Sequence, residues 1–104
     1  MRVSYHPDFP KDIRRFEAQY LEVSERLAAR FRAEVAGAID HIKNSPASAG
    51  HFLKTNSRIV KEVRRRNLPS FPFFVLYGIS GDMLVFRSVI ASASDPLTWL
   101  KSLR

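Results

Sequence analysis

Cysteine is absent from the 104-residue chain. That removes a disulfide framework, a thiolate zinc site and a cysteine nucleophile together. The three histidines, His6, His41 and His51, are scattered without metal-ligand spacing and read as structural residues. There is no HExxH and no glycine-rich phosphate loop, so neither a metal nor a cofactor is expected. No apolar run approaches the roughly 20 residues of a membrane span. The opening residues, with Arg2, Ser4, His6 and Asp8, lack the apolar core of a signal peptide, so a cytoplasmic protein without membrane contact is expected. Carboxylates are scarce as well: 10 Asp and Glu face 17 Lys and Arg, leaving a net charge of +7 and a pI near 10.4. A field of that size concentrates anions and speeds their capture. Two partner classes follow, nucleic acid or an acidic protein segment, with plain solubility as the bland alternative.

What is present suffices for one core. The length suits a single domain over residues 1–104, and 45% hydrophobic residues, eight of them Phe, fill it. Arg2-Val3-Ser4-Tyr5 alternates as a first strand ended by His6-Pro7. Phe9, Ile13, Phe16 and Tyr20 are spaced four, three and four apart, which is one helical face. Asp8 is expected to cap that helix, and Pro10 is tolerable because it falls in the first turn. A second helix starts at Ser24 as N-cap, runs through Leu27, Phe31, Val35, Ala38, Ile39 and Ile42, and stops at Asn44-Ser45-Pro46. Joined so tightly, the two should form an antiparallel hairpin.

After a loop over residues 46–50, His51 to Lys54 reads as a short strand or extended connection. Arg58 to Arg66 reads as a strand with one solvated, strongly positive face. Asn67-Leu68-Pro69-Ser70 breaks it, and Phe71-Pro72 re-enters the sheet. Phe73–Ile79 and Met83–Ala91 are almost wholly apolar, with Ser80-Gly81-Asp82 as the tight turn between them. Apolar residues on both faces mark these two strands as central. Asp95-Pro96 opens a last helix bearing Leu97, Leu100 and Leu103. The expected class is α+β in the order β-α-α-β-β-β(-β)-α, a helical hairpin packed on a mostly antiparallel sheet.

That order, with Phe71-Pro72-Phe73 and Tyr77 on one strand, resembles toxins of the RelE/ParE superfamily, closest to the ParE branch. Val63-Arg64-Arg65 resembles the basic strand leading into that motif, and Gly81-Asp82 the hairpin turn. Asp95-Pro96 with Trp99 is similar to the closing segment, and His6-Pro7 through Ile13 to the way the first helix begins. The resemblance implies a type II toxin-antitoxin component tied to plasmid stabilisation, a growth inhibitor acting on DNA gyrase and neutralised by the acidic segment of a cognate antitoxin. One departure stands out: Ala91-Ser92-Ala93-Ser94 occupies the place where ParE-like chains carry His and Arg. Ribonucleases of the RelE branch place an Arg where this chain has Phe73-Phe74. Cleavage by a ribose 2′-OH needs a base and positive charge on the phosphorane. Arg64–Arg66 could meet the second need, but no base is evident, so ribosome-dependent cleavage of messenger RNA is the alternative. A degenerate member that only binds an antitoxin is a third reading.

The candidate binding residues are Lys54, Arg58, Lys61, Arg64, Arg65, Arg66 and Arg87, for phosphate or for acidic antitoxin side chains. The alternative for the cluster is a solvated edge strand whose charges discourage aggregation. Arg87 lies in an apolar strand and must find a partner if it faces the core. A position in the groove beside the basic strand is the favoured one. Asp8 and Asp12 read as helix-start electrostatics, and Tyr77 and Trp99 as packing residues.

Overall fold

The computed structural model describes residues 1–53 and 62–94. Strand β1 (Arg2–Tyr5) leads into helices α1 (Asp8–Leu21) and α2 (Glu25–Asn44), followed by β2 (His51–Leu53), β3 (Glu62–Asn67), β4 (Phe73–Ser80) and β5 (Met83–Ala91). The sheet order is β1-β5-β4-β3-β2, with β1 parallel to β5 and the remaining neighbours antiparallel. The α+β class, the helical hairpin and the central β4–β5 pair are as expected. The final helix expected from Asp95 onward, with Trp99, lies outside the described residues.

Local chemistry accounts for the boundaries. Ser24 adopts extended backbone and its hydroxyl accepts from the Leu27 N–H at 2.9 Å, a regular N-cap. Asp8, expected as the cap of α1, is instead the first residue of that helix, and no side chain caps Pro7. His6 does the work: its Nδ1 accepts from the Asp8 N–H at 3.1 Å and its carbonyl from the Phe9 N–H at 2.9 Å. Pro10 has no N–H to satisfy, so the first turn is complete without a carboxylate cap. The β4–β5 turn holds the positive φ of 60° at Gly81. Phe71 and Pro72 do not belong to the sheet. They form a bend before β4 in which the Phe73 N–H turns back to the Phe71 carbonyl, and Phe71 packs into the core instead.

The core lies between the helical hairpin and one face of the sheet. Phe73, Val75 and Tyr77 of β4 and Leu84, Phe86 and Val89 of β5 meet Phe9, Phe16, Phe31, Val35 and Ile42. Aromatic edges fill its middle: Phe31 lies 5.4 Å from Phe71 and 5.5 Å from Phe73, both edge-on. Such pairs add about 0.5–1.5 kcal/mol beyond area burial. Phe74 and Leu76 point to the opposite face and are equally buried, so the two-sided apolarity of β4 reflects burial on both faces.

Candidate functional site

The basic strand divides its arginines. Alternation along β3 and its register with β4 put Arg64 and Arg66 opposite Tyr77 and Val75, on the helix side, and Arg65 on the other. Arg64 Nη1 donates to the Gly50 carbonyl at 3.1 Å, and Arg66 Nη1 to the Ala49 carbonyl at 2.6 Å. The buried Tyr77 hydroxyl donates to the Pro46 carbonyl at 2.8 Å. Three donors from two strands thus hold the loop after α2. That loop lies so close that a Cβ on Gly50 would fall 2.7 Å from the Arg65 carbonyl oxygen and 2.8 Å from the Tyr77 hydroxyl. Arg65 stacks on Phe74, its guanidinium carbon 3.9 Å from the ring centre, and donates to Asn67 Oδ1 at 2.9 Å. A single solvated positive face is therefore not what these three residues make, and because β2 pairs on its far side, β3 is no edge strand. Lys54, Arg58 and Lys61 lie outside the described residues.

Arg87 sits elsewhere. Leu76 pairs with Ser88 and Tyr77 with Phe86, so Arg87 is the extra residue of a β-bulge. Its side chain, only 16% exposed, donates to Asp8 Oδ2 at 2.8 Å and lies 3.2 Å from His6 Nδ1. A guanidinium has only donors, so Nδ1 accepts here as it does from Asp8, which places the ring proton on Nε2. The groove beside the basic strand, favoured for Arg87 from sequence, is corrected: all of β4 intervenes, and the cation turns to the nearest carboxylate. The same bulge leaves the Val89 N–H to Asp12 Oδ2 at 3.1 Å.

These contacts frame an open cleft of about 330 Å³ between α1 and β5, lined by Asp8, Asp12, Arg15, Phe16, Arg87 and residues 88–91 and Ser94. The two carboxylates, one helical turn apart, are driven in opposite directions. The hydrogen bond from Arg87 holds Asp8 below its ordinary pKa, although Asp8 is 49% exposed and water screens part of that effect. Burial pushes Asp12 above its ordinary value, against the opposing hydrogen bond from Val89. Arg15 is 3.8 Å from Asp12 and lies over the Phe16 ring at 4.6 Å. Sequence reading treated Asp8 and Asp12 as helix-start charges and left Arg15 and His6 without a role in any site. The available signal was the need of Arg87 for a carboxylate, joined to an acid pair spaced i, i+4 on one helix face. Among the described residues no three His, Asp or Glu side chains are grouped as a metal site, and no helix is long and apolar enough to cross a membrane.

No family model matches the chain, and no curated protein matches it. Among solved structures, a chain of the chromosomal ParDE TA system from P. aeruginosa is similar, with a TM-score of 0.73 over 88% of this chain and 95% of that one, at 13% identity. The class defined is an α+β domain with a ParE-like fold. At that identity the likeness speaks for architecture.

Proposed function

We propose that this chain is the toxin of a type II toxin-antitoxin pair of the plasmid-stabilisation kind, a cytoplasmic growth inhibitor held in check by the acidic segment of a cognate antitoxin. The observation that carries this reading is the near-complete overlap with a chain of the ParDE system. A charge of +7 suits an acidic partner, whose docking neutralises charge and buries surface together. Inhibition by binding, with DNA gyrase as the target, fits better than cutting. Arg64 and Arg66 already donate to loop carbonyls, whereas Asp12 and His6 accept from backbone N–H groups of β5 and α1.

The test is induction of the chain alone, followed by a purified gyrase supercoiling assay and mapping of messenger 5′ ends. Growth arrest with gyrase inhibition and intact messenger is the expected result. Fresh codon-phased cuts that vanish on substitution of Arg64–Arg66 would establish the ribosome-dependent ribonuclease instead. The third reading, a non-toxic member that only binds an antitoxin, is favoured by the internal use of Arg64–Arg66. A folded chain that holds an antitoxin but neither arrests growth nor inhibits gyrase would decide for it.

A further inference from the structure

The α1–β5 cleft has no part in the reading above, and its chemistry is specific. We propose that it is a carboxylate pocket, receiving the side chain of one acidic residue of a partner polypeptide between the guanidinium groups of Arg15 and Arg87.

Arg87 is held in place before any ligand arrives. One of its nitrogens is engaged by Asp8 and His6, while Nε and Nη2 have no acceptor among the described residues. A guanidinium fixed in this way loses little freedom on binding, which favours affinity. Arg15 is 63% exposed, and its 3.8 Å approach to Asp12 is too long for a hydrogen bond, so its donors are available. Guanidinium forks match carboxylates in plane and spacing. Phe16, Ile90 and Ala91 supply an apolar wall for the methylene groups that carry the acid.

The carboxylates already in the cleft decide which anion fits. Asp8 is neutralised by Arg87, and Asp12 is satisfied by the Val89 N–H. The groups facing Asp12 are Asp8 and Arg15 from its own helix, and Arg87 with the Val89 N–H from β5. Burial raises Asp12 above its ordinary pKa, against the hydrogen bond from Val89. One monovalent carboxylate therefore meets weak repulsion. A nucleic acid brings a row of phosphates, and the neighbours of any bound phosphate would meet half-exposed Asp8. The observations favour a protein ligand over RNA or DNA. The proposal takes only the identity of the partner from the toxin-antitoxin reading.

The experiment is a ¹⁵N amide-shift titration of the full chain with N-acetyl-glutamate amide, the glutamine analogue as the uncharged control, and the dinucleotide UpU as the phosphodiester. Saturable shifts at Asp12, Arg15, Val89 and Ser94 with the glutamate compound alone are expected. Arg15→Gln should weaken binding roughly tenfold, the value of one charge-assisted hydrogen bond. Arg87→Lys, which keeps a cation for Asp8 but removes the fork, should weaken it as well, and amide dispersion shows whether each variant is folded. Equal shifts with the glutamine analogue, no shifts at tens of millimolar, or tighter binding of UpU would each overturn the proposal. No antitoxin and no toxicity enter the titration, so it stands or falls apart from the gyrase assay.

Discussion

Two parts of the sheet place arginine in mostly apolar surroundings, and they resolve the charge differently. In β3 Arg64 and Arg66 each donate to a loop carbonyl, and Arg65 lies on an aromatic face. In β5 the single cation of Arg87 ends on a carboxylate and an imidazole. Within the densest charge of the sequence, Arg64 and Arg66 thus serve as a scaffold for the loop after α2. The sparser charge, beside two aspartates, borders the open cleft. Charge density along a sequence does not locate available charge, because alternation in a strand sends neighbouring residues to opposite faces.

The loop is the tightest point of the β3 side, and breaking it should produce the largest effect. In Gly50→Ala the new methyl group meets backbone oxygen and a buried hydroxyl, neither of which can retreat freely. Overpacking of this kind costs about 1–3 kcal/mol, and the upper end is expected here. Urea unfolding checks it. A change under half a kcal/mol would mean that the loop yields easily and is not clamped.

On the cleft side the comparable lesion is Asp12→Ala, which strips the Val89 N–H of its acceptor. A partly buried donor left without a partner costs about 1–3 kcal/mol. Asp12→Asn keeps an oxygen acceptor and removes a charge that burial disfavours, so it should be neutral or stabilising at neutral pH. Equal losses in the two variants would show that the charge, not the hydrogen bond, matters at the bulge.

What could be read from the sequence divides along the same line. Periodicity found both helices, the Ser24 cap and the central hairpin, because each depends on spacing within a few residues. The bend at Phe71-Pro72 escaped it, since an apolar residue beside a strand looks the same whether it extends the strand or folds into the core. Arg87 was recognised as needing a partner, but the partner is 79 residues away. Only the bulge, a register feature with no signature in this sequence, aims the side chain at Asp8. The cleft therefore stayed invisible, while the arginine run was conspicuous.

A smaller change on the β3 side is Tyr77→Phe. It deletes the hydrogen bond to the Pro46 carbonyl and leaves the ring in the core. A net loss of about 1 kcal/mol is expected, with faster proteolysis between Asn44 and Gly50. Unaltered cleavage there would assign the clamp to Arg64 and Arg66 alone.

The smallest effect is also the sharpest test of the cleft, because its two aspartates should answer pH with opposite signs. Asp8 titrates below its ordinary 3.8 in the folded chain, so its pairing stabilises fully above 3.8 and is lost as pH falls through the lowered value. Asp12 titrates above 3.8, so the cost of ionising it in the fold is absent below 3.8 and complete once pH has risen past the raised value. Urea unfolding of the parent chain, Asp8→Asn and Asp12→Asn across the acid range separates the two. The advantage of the parent over Asp8→Asn should shrink with acidification, whereas its advantage over Asp12→Asn should grow. Salt distinguishes the causes. Asp8 is half-exposed and its ion pair is screened, so its pH dependence should flatten in roughly 1 M salt, where the Debye length is about 3 Å. Desolvation is not a screened interaction, so the Asp12 dependence should persist. Two slopes of the same sign would mean that Arg87 and burial do not divide the pair as the geometry requires.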